Sequence, residues 1–321
     1  MMHRRGLAGL FAVLAAGPAR AQGHFPDRTL RYIVPFPPGG LTDIMARLVA
    51  EQLGSHWNRA VVVENRAGGN AMIGAEVVVR AAPDGYTLLA MTMTHTVNVA
   101  LYPNAPYDLL RDLAAISVIG SLPLVVCVAA ESPARDLAGL VAMVKAQPVS
   151  AASSGNGSPP HLGLELFRRA AGAEAGLLHV PYRGGAPAIT DLIAGHVQMV
   201  VGNLPEVLGQ IRAGRLRALA VTAEQRHRLI PEVPTTAEAG LPALVIGNWT
   251  GMMVPAATPA PLRATIAGAV QAALRDPGLR ARAEEGGFEL LGWDEAHSAA
   301  FMQSEVRRWS ALVTEAGIRP D

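Results

Sequence analysis

The sequence predicts an α/β protein of two lobes, each a mostly parallel sheet flanked by helices, and three observations carry that expectation. Apolar runs of strand length alternate with helical patterns from Leu30 onward, as a sheet with crossover helices requires. The 321 residues amount to about two domains at ~150 residues each. The 33 glycines and 24 prolines supply turns between many short elements. With 50% hydrophobic and 17% charged residues, the chain can fill a large core and does not read as a disordered polymer. The formal charge is +1 and the basic residues stand as singles and pairs, so no stripe exists to track a phosphate backbone and nucleic acid is not an expected partner.

In chain order, Arg31 to Phe36 reads as the first strand and Thr42 to Leu53 as the first helix. A strand over Ala60 to Glu64, a helix over Ile73 to Ala81 and a strand over Thr87 to Met91 follow, the last entered through the turn Pro83-Asp84-Gly85. Leu113 to Ala130 is apolar but broken by Gly120 and Pro123, too long for one strand and too interrupted for one helix, so it is expected to cross between lobes. A second alternation then runs through helix Leu137 to Ala146, strand Val149 to Ala152, helix Leu162 to Ala171 and strand Leu178 to Pro181. It continues with helix Ala186 to Ala194, strand Val197 to Val201, helix Leu204 to Ala213 and strand Arg217 to Val221. An apolar strand over Trp249 to Pro255 returns the chain, and helices Pro261 to Arg275 and Asp294 to Ala316 are expected on the first lobe. Two crossings make a hinge.

The N-terminus carries an address. Arg4 and Arg5 precede an apolar stretch, Gly6 to Gly17, that is too short to span a bilayer, and Ala19 and Ala21 sit at the −3 and −1 positions of a cleavage site. Residues 1–21 are therefore expected to be a cleaved export signal, by general secretion rather than the twin-arginine route. Its removal takes Arg4, Arg5 and Arg20 and no acid, leaving 24 basic against 26 acidic side chains. No later stretch is apolar enough to span a bilayer, so the mature chain is expected free in the periplasm. The single Cys127 lies in the apolar run Leu122 to Ala130 and reads as a buried strand thiol.

Two loops could carry chemistry. Pro35-Phe36-Pro37-Pro38-Gly39-Gly40-Leu41-Thr42-Asp43 joins a strand to a helix, with glycines where backbone must approach something closely and Thr42 or Asp43 placed to cap. Its open amides would face an anion, or it is a plain capped turn. It matches neither phosphate-binding nor dinucleotide-binding glycine spacing. Ser153-Ser154-Gly155-Asn156-Gly157-Ser158-Pro159-Pro160-His161 again follows a strand and opens a helix, and offers hydroxyls, an amide and two glycines without a cation. His161, in the first turn, could orient that loop. Neither loop fixes a basic side chain, yet both place a helix N-terminus where negative charge is favoured, so small carboxylates should bind. No Gly-x-Ser-x-Gly is present, no base can be identified for the serines, and the nine histidines are dispersed, so neither a hydrolase triad nor a metal site nor a cofactor is indicated.

These segments resemble the tripartite tricarboxylate transporter substrate-binding proteins, the Bug receptors. The resemblance rests on Pro35 to Gly40 with Thr42-Asp43, Val63-Glu64-Asn65-Arg66 with Gly68-Gly69 and Ile73-Gly74-Ala75, and Pro83 to Leu88. It continues through Asn98 with Leu101-Tyr102, Pro106-Tyr107-Asp108, the Ser153 to His161 loop, Pro181-Tyr182-Arg183-Gly184, Leu216 to Ala220, and Val233 to Thr236 with Glu238-Ala239-Gly240. It spans essentially the whole mature chain. It implies a two-lobed periplasmic-binding-protein-like fold (type II), with lobe one made of 22–122 and 248–321 and lobe two of 123–247. Such a protein closes on a small carboxylate and delivers it, unchanged, to a two-component integral membrane transporter, and is expected to be a monomer. By similarity the ligand-binding residues are Phe36, Gly39, Gly40, Thr42 and Asp43 from lobe one, and Ser153, Ser154, Gly155, Asn156, Gly157, Ser158 and His161 from lobe two. Thr92, Thr94 and His95 after the third strand, Asn203, and Tyr182 and Trp249 as cleft walls are further candidates. The departure is Gly202, where the family often has an aspartate; the missing carboxylate would alter selectivity toward acidic or amino groups. The alternatives are a sensor subunit sharing every cleft residue, and an enzyme on the same fold.

Overall fold

A computed structural model describes residues 25–173 and 176–320. The expected export signal and its cleavage site lie outside the described residues. In chain order the first half runs β1 (Leu30–Val34), α1 (Leu41–Trp57), β2 (Val61–Asn65), α2 (Met72–Val79), β3 (Thr87–Thr92), α3 (Met93–Leu101), α4 (Leu109–Asp112) and β4 (Leu113–Ala129). Next come α5 (Leu137–Ala146), β5 (Val149–Ser153), α6 (Pro159–Ala170), β6 (Leu177–Pro181), α7 (Gly185–Ala194), β7 (Met199–Asn203), α8 (Leu204–Arg212) and β8 (Leu216–Val221). The chain closes with β9 (Gly247–Pro255), α9 (Ala260–Ala273), α10 (Pro277–Glu285), β10 (Glu289–Leu290) and α11 (Glu295–Ala316).

The strands order as β2-β1-β3-β9-β4-β7-β5-β6, with β8 and β10 also paired to β4. The outer trios β2-β1-β3 and β7-β5-β6 are parallel, as their crossover helices require. The middle is antiparallel: β9 runs against β3 and β4, and β4 against β7 and β8. The sheet is therefore mixed, because the two strands that join the halves must turn back on their neighbours.

The expectation that Leu113 to Ala130 exceeds one strand is corrected. It forms the single strand β4, whose first part, to Pro123, pairs with β9, while Leu124 onward pairs with β7 and β8. Register shifts at Ala115/Ser117 and Val118/Gly120 bend it, so one strand serves both halves. It is also the crossing that was expected. The return crossing lies beside it, Pro123 opposite Gly247. Thr222 ties the two: its buried hydroxyl accepts from the Leu124 amide at 3.0 Å and donates to the Ile246 carbonyl at 2.6 Å.

The periodicity reading passed over α3, α4, α10 and β10, all short and lacking a clean apolar stripe. α3 is buried on most of its faces, including His95, Thr96 and Asn98, so its pattern is not amphipathic. Three cores result. One packs α1, α9 and α10 on the first half through residues such as Tyr32, Met45, Leu53, Ile266 and Phe288. Another packs α7 and α8 on the second through Val125, Cys127, Leu192 and Val207. The third is common to both halves, joining Val97 and Leu101 to Phe167, Trp249, Trp309 and Leu312. Cys127 is fully buried, and burial pushes its thiol upward, as expected for an inert strand residue. Among the described residues no helix is long and apolar enough to cross a membrane.

Candidate ligand-binding site

Strand-to-helix loops bring the candidate residues to one edge of each parallel trio, the C-terminal ends of the strands. On lobe one these are the β1–α1 loop, the β2–α2 turn and the start of α3. On lobe two they are the β5–α6 loop, the turn after β6 and the start of α8.

In the β1–α1 loop neither Thr42 nor Asp43 caps the helix. Gly40 is the N-cap and offers no side chain, so the first-turn amides of Leu41, Thr42 and Asp43 have neither an intrahelical acceptor nor a capping oxygen. Asp43 instead braces the loop from behind. Its carboxylate, 2% exposed, accepts from the Gly39 amide at 2.9 Å, from Asn65 Nδ2 at 2.8 Å and from the fork of Arg47 at 2.9 and 3.0 Å. Asn65 also donates to the Phe36 carbonyl, fixing the other end of the loop. Burial alone would raise the Asp43 carboxyl, but Arg47, Gly39 and Asn65 outweigh it and hold the group below its ordinary range. Its charge is thus spent within the lobe, not presented to a ligand.

Asp43→Ala should lower stability by about 1–3 kcal/mol and loosen the loop, since the Gly39 amide and Asn65 lose the acceptor that ties them together, while Arg47 can turn to solvent. Because the folded carboxyl titrates below its unfolded value, its contribution is whole at neutral pH. It is lost as pH falls below about 4 and through the lower folded value. Thermal melts of the two proteins at pH 7 and pH 3 check this; an equal melting temperature at pH 7 would overturn it.

Thr92, Thr94 and His95 do not lie in a loop but begin α3, where Thr92 and His95 form a reciprocal cap. His95 Nδ1 accepts from the Thr92 amide at 3.1 Å, which places the ring proton on Nε2. That Nε2 is buried and without a hydrogen-bond partner among the described residues, an unmet donor on the lobe-one side. Burial pulls His95 down to about 4, so the ring is neutral at physiological pH.

On lobe two the helix start offers no open amide. Pro159 and Pro160 occupy the first two positions of α6 and carry no N–H, and the Ser158 hydroxyl accepts from the amide of His161. The helix start favours negative charge through its dipole but has no amide left to donate. The loop itself is self-bonded: Ser158 donates to the Gly155 carbonyl at 2.6 Å, and the Gly155 amide donates to Ser153 Oγ. The Gly157 amide donates to His161 Nδ1 at 3.1 Å, so His161 orients the loop as expected. Burial, then repulsion from His179 and Arg168, lowers His161 to about 3 and keeps it neutral. His179 stacks on it at 3.8 Å and lies 2.6 Å from Ser153 Oγ. That Ser–His contact was missed from sequence, where no base could be assigned. Ser153 is fully buried, so the pair supports the loop and no substrate reaches its hydroxyl. Ser154 is the loop hydroxyl with no partner among the described residues and is partly exposed; Asn156 is partly exposed as well.

The lobes meet here. A side chain built on Gly157 would lie 2.7 Å from Leu101 Cδ2, with Val97 and Asn70 close behind, so the β5–α6 loop rests directly on α3 and on the β2–α2 turn. Asn70 donates to Asn98 Oδ1 at 2.8 Å, and Asn98 donates to the Asn70 carbonyl at 2.6 Å. These two were not among the predicted site residues, although Gly68-Gly69-Asn70 between a strand and a helix is the same signal that drew attention to the other loops.

The remaining candidates are engaged within the protein. Asn203 is engaged at both ends, donating to Glu206 and accepting from Asn248. The Tyr182 hydroxyl donates to Asp191 at 2.6 Å. Trp249 is core, 4% exposed, its indole donating to buried Glu305 at 2.7 Å. Gly202 is closely covered, since a Cβ there would meet Val207 Cγ1 at 2.8 Å. Among the described residues no cluster suited to a metal ion exists.

Comparison with known proteins agrees with this architecture. A sequence model described as the tripartite tricarboxylate transporter family receptor matches residues 45–318. A Pseudomonas sp. strain P51 protein, from the tcbD–tcbE intergenic region, is 37% identical over 318 residues, covering 98% of this chain and 94% of its own. BugT of Bordetella pertussis is 36% identical over 318 residues, covering 97% and 96%. Among solved structures, an R. palustris protein with adipate superposes with a TM-score of 0.84 at 32% identity, over 92% of this chain and all of that one. MatC from Rhodopseudomonas palustris with bound malate gives 0.80 at 30% identity, over 90% and all.

Proposed function

The chain belongs to the tripartite tricarboxylate transporter receptor family, and from that premise we propose that it is a periplasmic receptor that holds a small carboxylate between its lobes and passes it unchanged to the membrane transporter. The observation that carries the ligand class is the uncapped start of α1, where three amides converge without an acceptor and no cation stands in for one. His95 Nε2–H adds a neutral donor on the same lobe, and Ser154 an unengaged hydroxyl on the other. The adipate and malate of the two R. palustris relatives are of that class. Phe36, Gly39, Gly40, Thr42, Thr94, His95, Ser154 and Asn156 are the residues we assign to contact, directly or through water. Asp43, Ser153, Gly157, Ser158, His161 and Asn203 are assigned to shaping the loops that make that contact.

We divide the chain at the paired crossing: lobe one is 22–122 with 248–321, lobe two is 123–247, and residues 1–21 are removed on export. N-terminal sequencing of periplasmic protein should read from or near Gln22; an intact Met1 would overturn the export assignment. Calorimetry against mono-, di- and tricarboxylates, amino acids and neutral amides should find tight ligands only among acids. A neutral amide preferred over every acid would overturn the ligand class. No step of bond chemistry is assigned to the protein: among the described residues the serine whose hydroxyl touches a histidine ring, Ser153, is fully buried.

A further inference from the structure

We propose that the groove between α7 and α8 is a second binding site, separate from the interlobe cleft, for a short aliphatic chain that carries an ammonium group at one end and an acidic group at the other. The groove encloses about 300 Å³, the lower end of the range that small ligands occupy. Its wall on α7 is apolar, from Ala186, Ile189 and Ile193; Thr190 also lines it, but its hydroxyl is spent on the Ala186 carbonyl at 3.0 Å. On α8 two acceptors face the groove one helical turn apart, Glu206 and Gln210. Gln210 Oε1 is buried and has no hydrogen-bond partner among the described residues. Arg215 lines the groove as its one cation.

The Glu206 carboxylate is held in place. Asn203 donates to it at 3.0 Å, and Asn203 is itself fixed by Asn248 of β9. It lies so close over Gly185 that a Cβ there would come within 2.5 Å of Oε2, so only glycine lets the carboxylate take this position. Burial pushes its carboxyl above the ordinary range against the pull of Asn203, the condition of a carboxylate short of a counter-charge. Its place near the start of α7 would also suit a helix dipole, but that leaves the Gln210 oxygen unexplained. An ammonium has three donors and can satisfy both acceptors at once, its alkyl chain covering the isoleucines and its acidic end meeting Arg215. Glu206 touches the carboxylate site only through Asn203, which we assign to shaping its loops, and the unmet groups of that site are donors, so the two sites select opposite chemistry.

The test uses the exported chain with labelled isoleucine methyl groups, followed by NMR during titration with 5-aminopentanoate, pentylamine and pentanoate. With 5-aminopentanoate the methyls of Ile189 and Ile193 should shift and saturate, while Ile44 and Ile73 on lobe one report separately on the cleft loops. Glu206→Gln should weaken this binding at least about tenfold, the loss of a charge-assisted hydrogen bond, and Gln210→Leu should weaken it too, which keeps the test open if the first variant misfolds. Pentanoate should be at least about tenfold weaker at these methyls for the same reason, and pentylamine weaker than the amino acid. No saturable shift at Ile189 and Ile193, equal binding by pentanoate, or variants that bind like the wild type would each overturn the site. Pentylamine binding as tightly as 5-aminopentanoate would overturn the part given to Arg215. Binding in the cleft moves Ile44 and Ile73 as well, so a shift confined to Ile189 and Ile193 identifies the groove, and its absence leaves the calorimetric test of the cleft untouched.

Discussion

Replacing Gly157 with valine is expected to cut affinity for the cleft ligand by about a hundredfold, the largest binding effect of any single change at the site. Gly157 sits at φ 70°, a left-handed conformation that a β-branched residue adopts only at a cost of about 1–2 kcal/mol. Its missing side chain is also where lobe two rests on Leu101, 2.7 Å from the position a Cβ would take, and overpacking there adds about 1–3 kcal/mol. The strain is present with or without ligand, so it is the overpacking, at its upper end, that reaches the ~2.7 kcal/mol a hundredfold in affinity represents. The cost falls on the arrangement in which the loop touches lobe one, so the variant should bind weakly and keep its lobes further apart. Small-angle scattering with and without ligand reads the second effect: the wild type should contract on binding and the variant should not. Gly172→Val separates strain from contact, because Gly172 is also left-handed, at φ 58°, but has open space where a side chain would go. Gly157→Val binding as tightly as Gly172→Val would show that the loop need not rest on α3.

The largest stability effect is expected from Glu305→Ala. This carboxylate is 5% exposed and accepts from both Trp249 and Trp309, each indole N–H at 2.7 Å. Truncation leaves two buried donors unmet and opens a void beside two tryptophans, for a combined loss of about 3–5 kcal/mol. At about 2–4 °C per kcal/mol for a chain somewhat smaller than this one, the melting temperature should fall by at most roughly 6–20 °C. Both indoles donate to the same oxygen, so Glu305→Gln keeps a neutral acceptor there and should lie between. Calorimetry measures both, and an unchanged transition in Glu305→Ala would sink the assignment. The same experiment decides where Trp249 acts. As core it should change stability and leave affinity at 25 °C intact, whereas a cleft wall would do the reverse.

Much of the architecture was legible because the parallel trios obey local rules. Each of β1, β2, β3, β5, β6 and β7 is a short apolar run, and α1, α5, α6, α7 and α8 begin and end near glycine, proline or a capping side chain, so their bounds came within a few residues. β4 was misjudged because its length reflects membership of two sheets at once, which no window of sequence records. α3 was missed because it is buried on most sides and has no apolar stripe to show.

The loops divide the same way. That strand-to-helix turns at Gly39-Gly40 and at Ser153 to Ser158 would make the site could be read from residue types, and the family resemblance reached the same segments. The sequence by itself determined which segments become loops at the sheet edge, because glycine, proline and hydroxyl residues impose their backbone preferences locally, and it determined the absence of a fixed cation in either loop. Which groups in those loops remain free was decided only by the tertiary structure. Asp43 was read as a cap or a contact, yet Arg47, Asn65 and the Gly39 amide consume it. The loop before α6 was read as rich in donors, yet the two prolines and Ser158 leave the helix start no amide to offer, and His161 takes the amide of Gly157. His95 was a weak candidate and emerges with an unmet buried proton. The physical reason is that hydrogen-bonding capacity is finite. A donor is open to a ligand only after every neighbour brought near by the fold has taken its share, and neighbours 22 residues away, as Asn65 is from Asp43, or 26, as His179 is from Ser153, are set by strand pairing and not by local sequence.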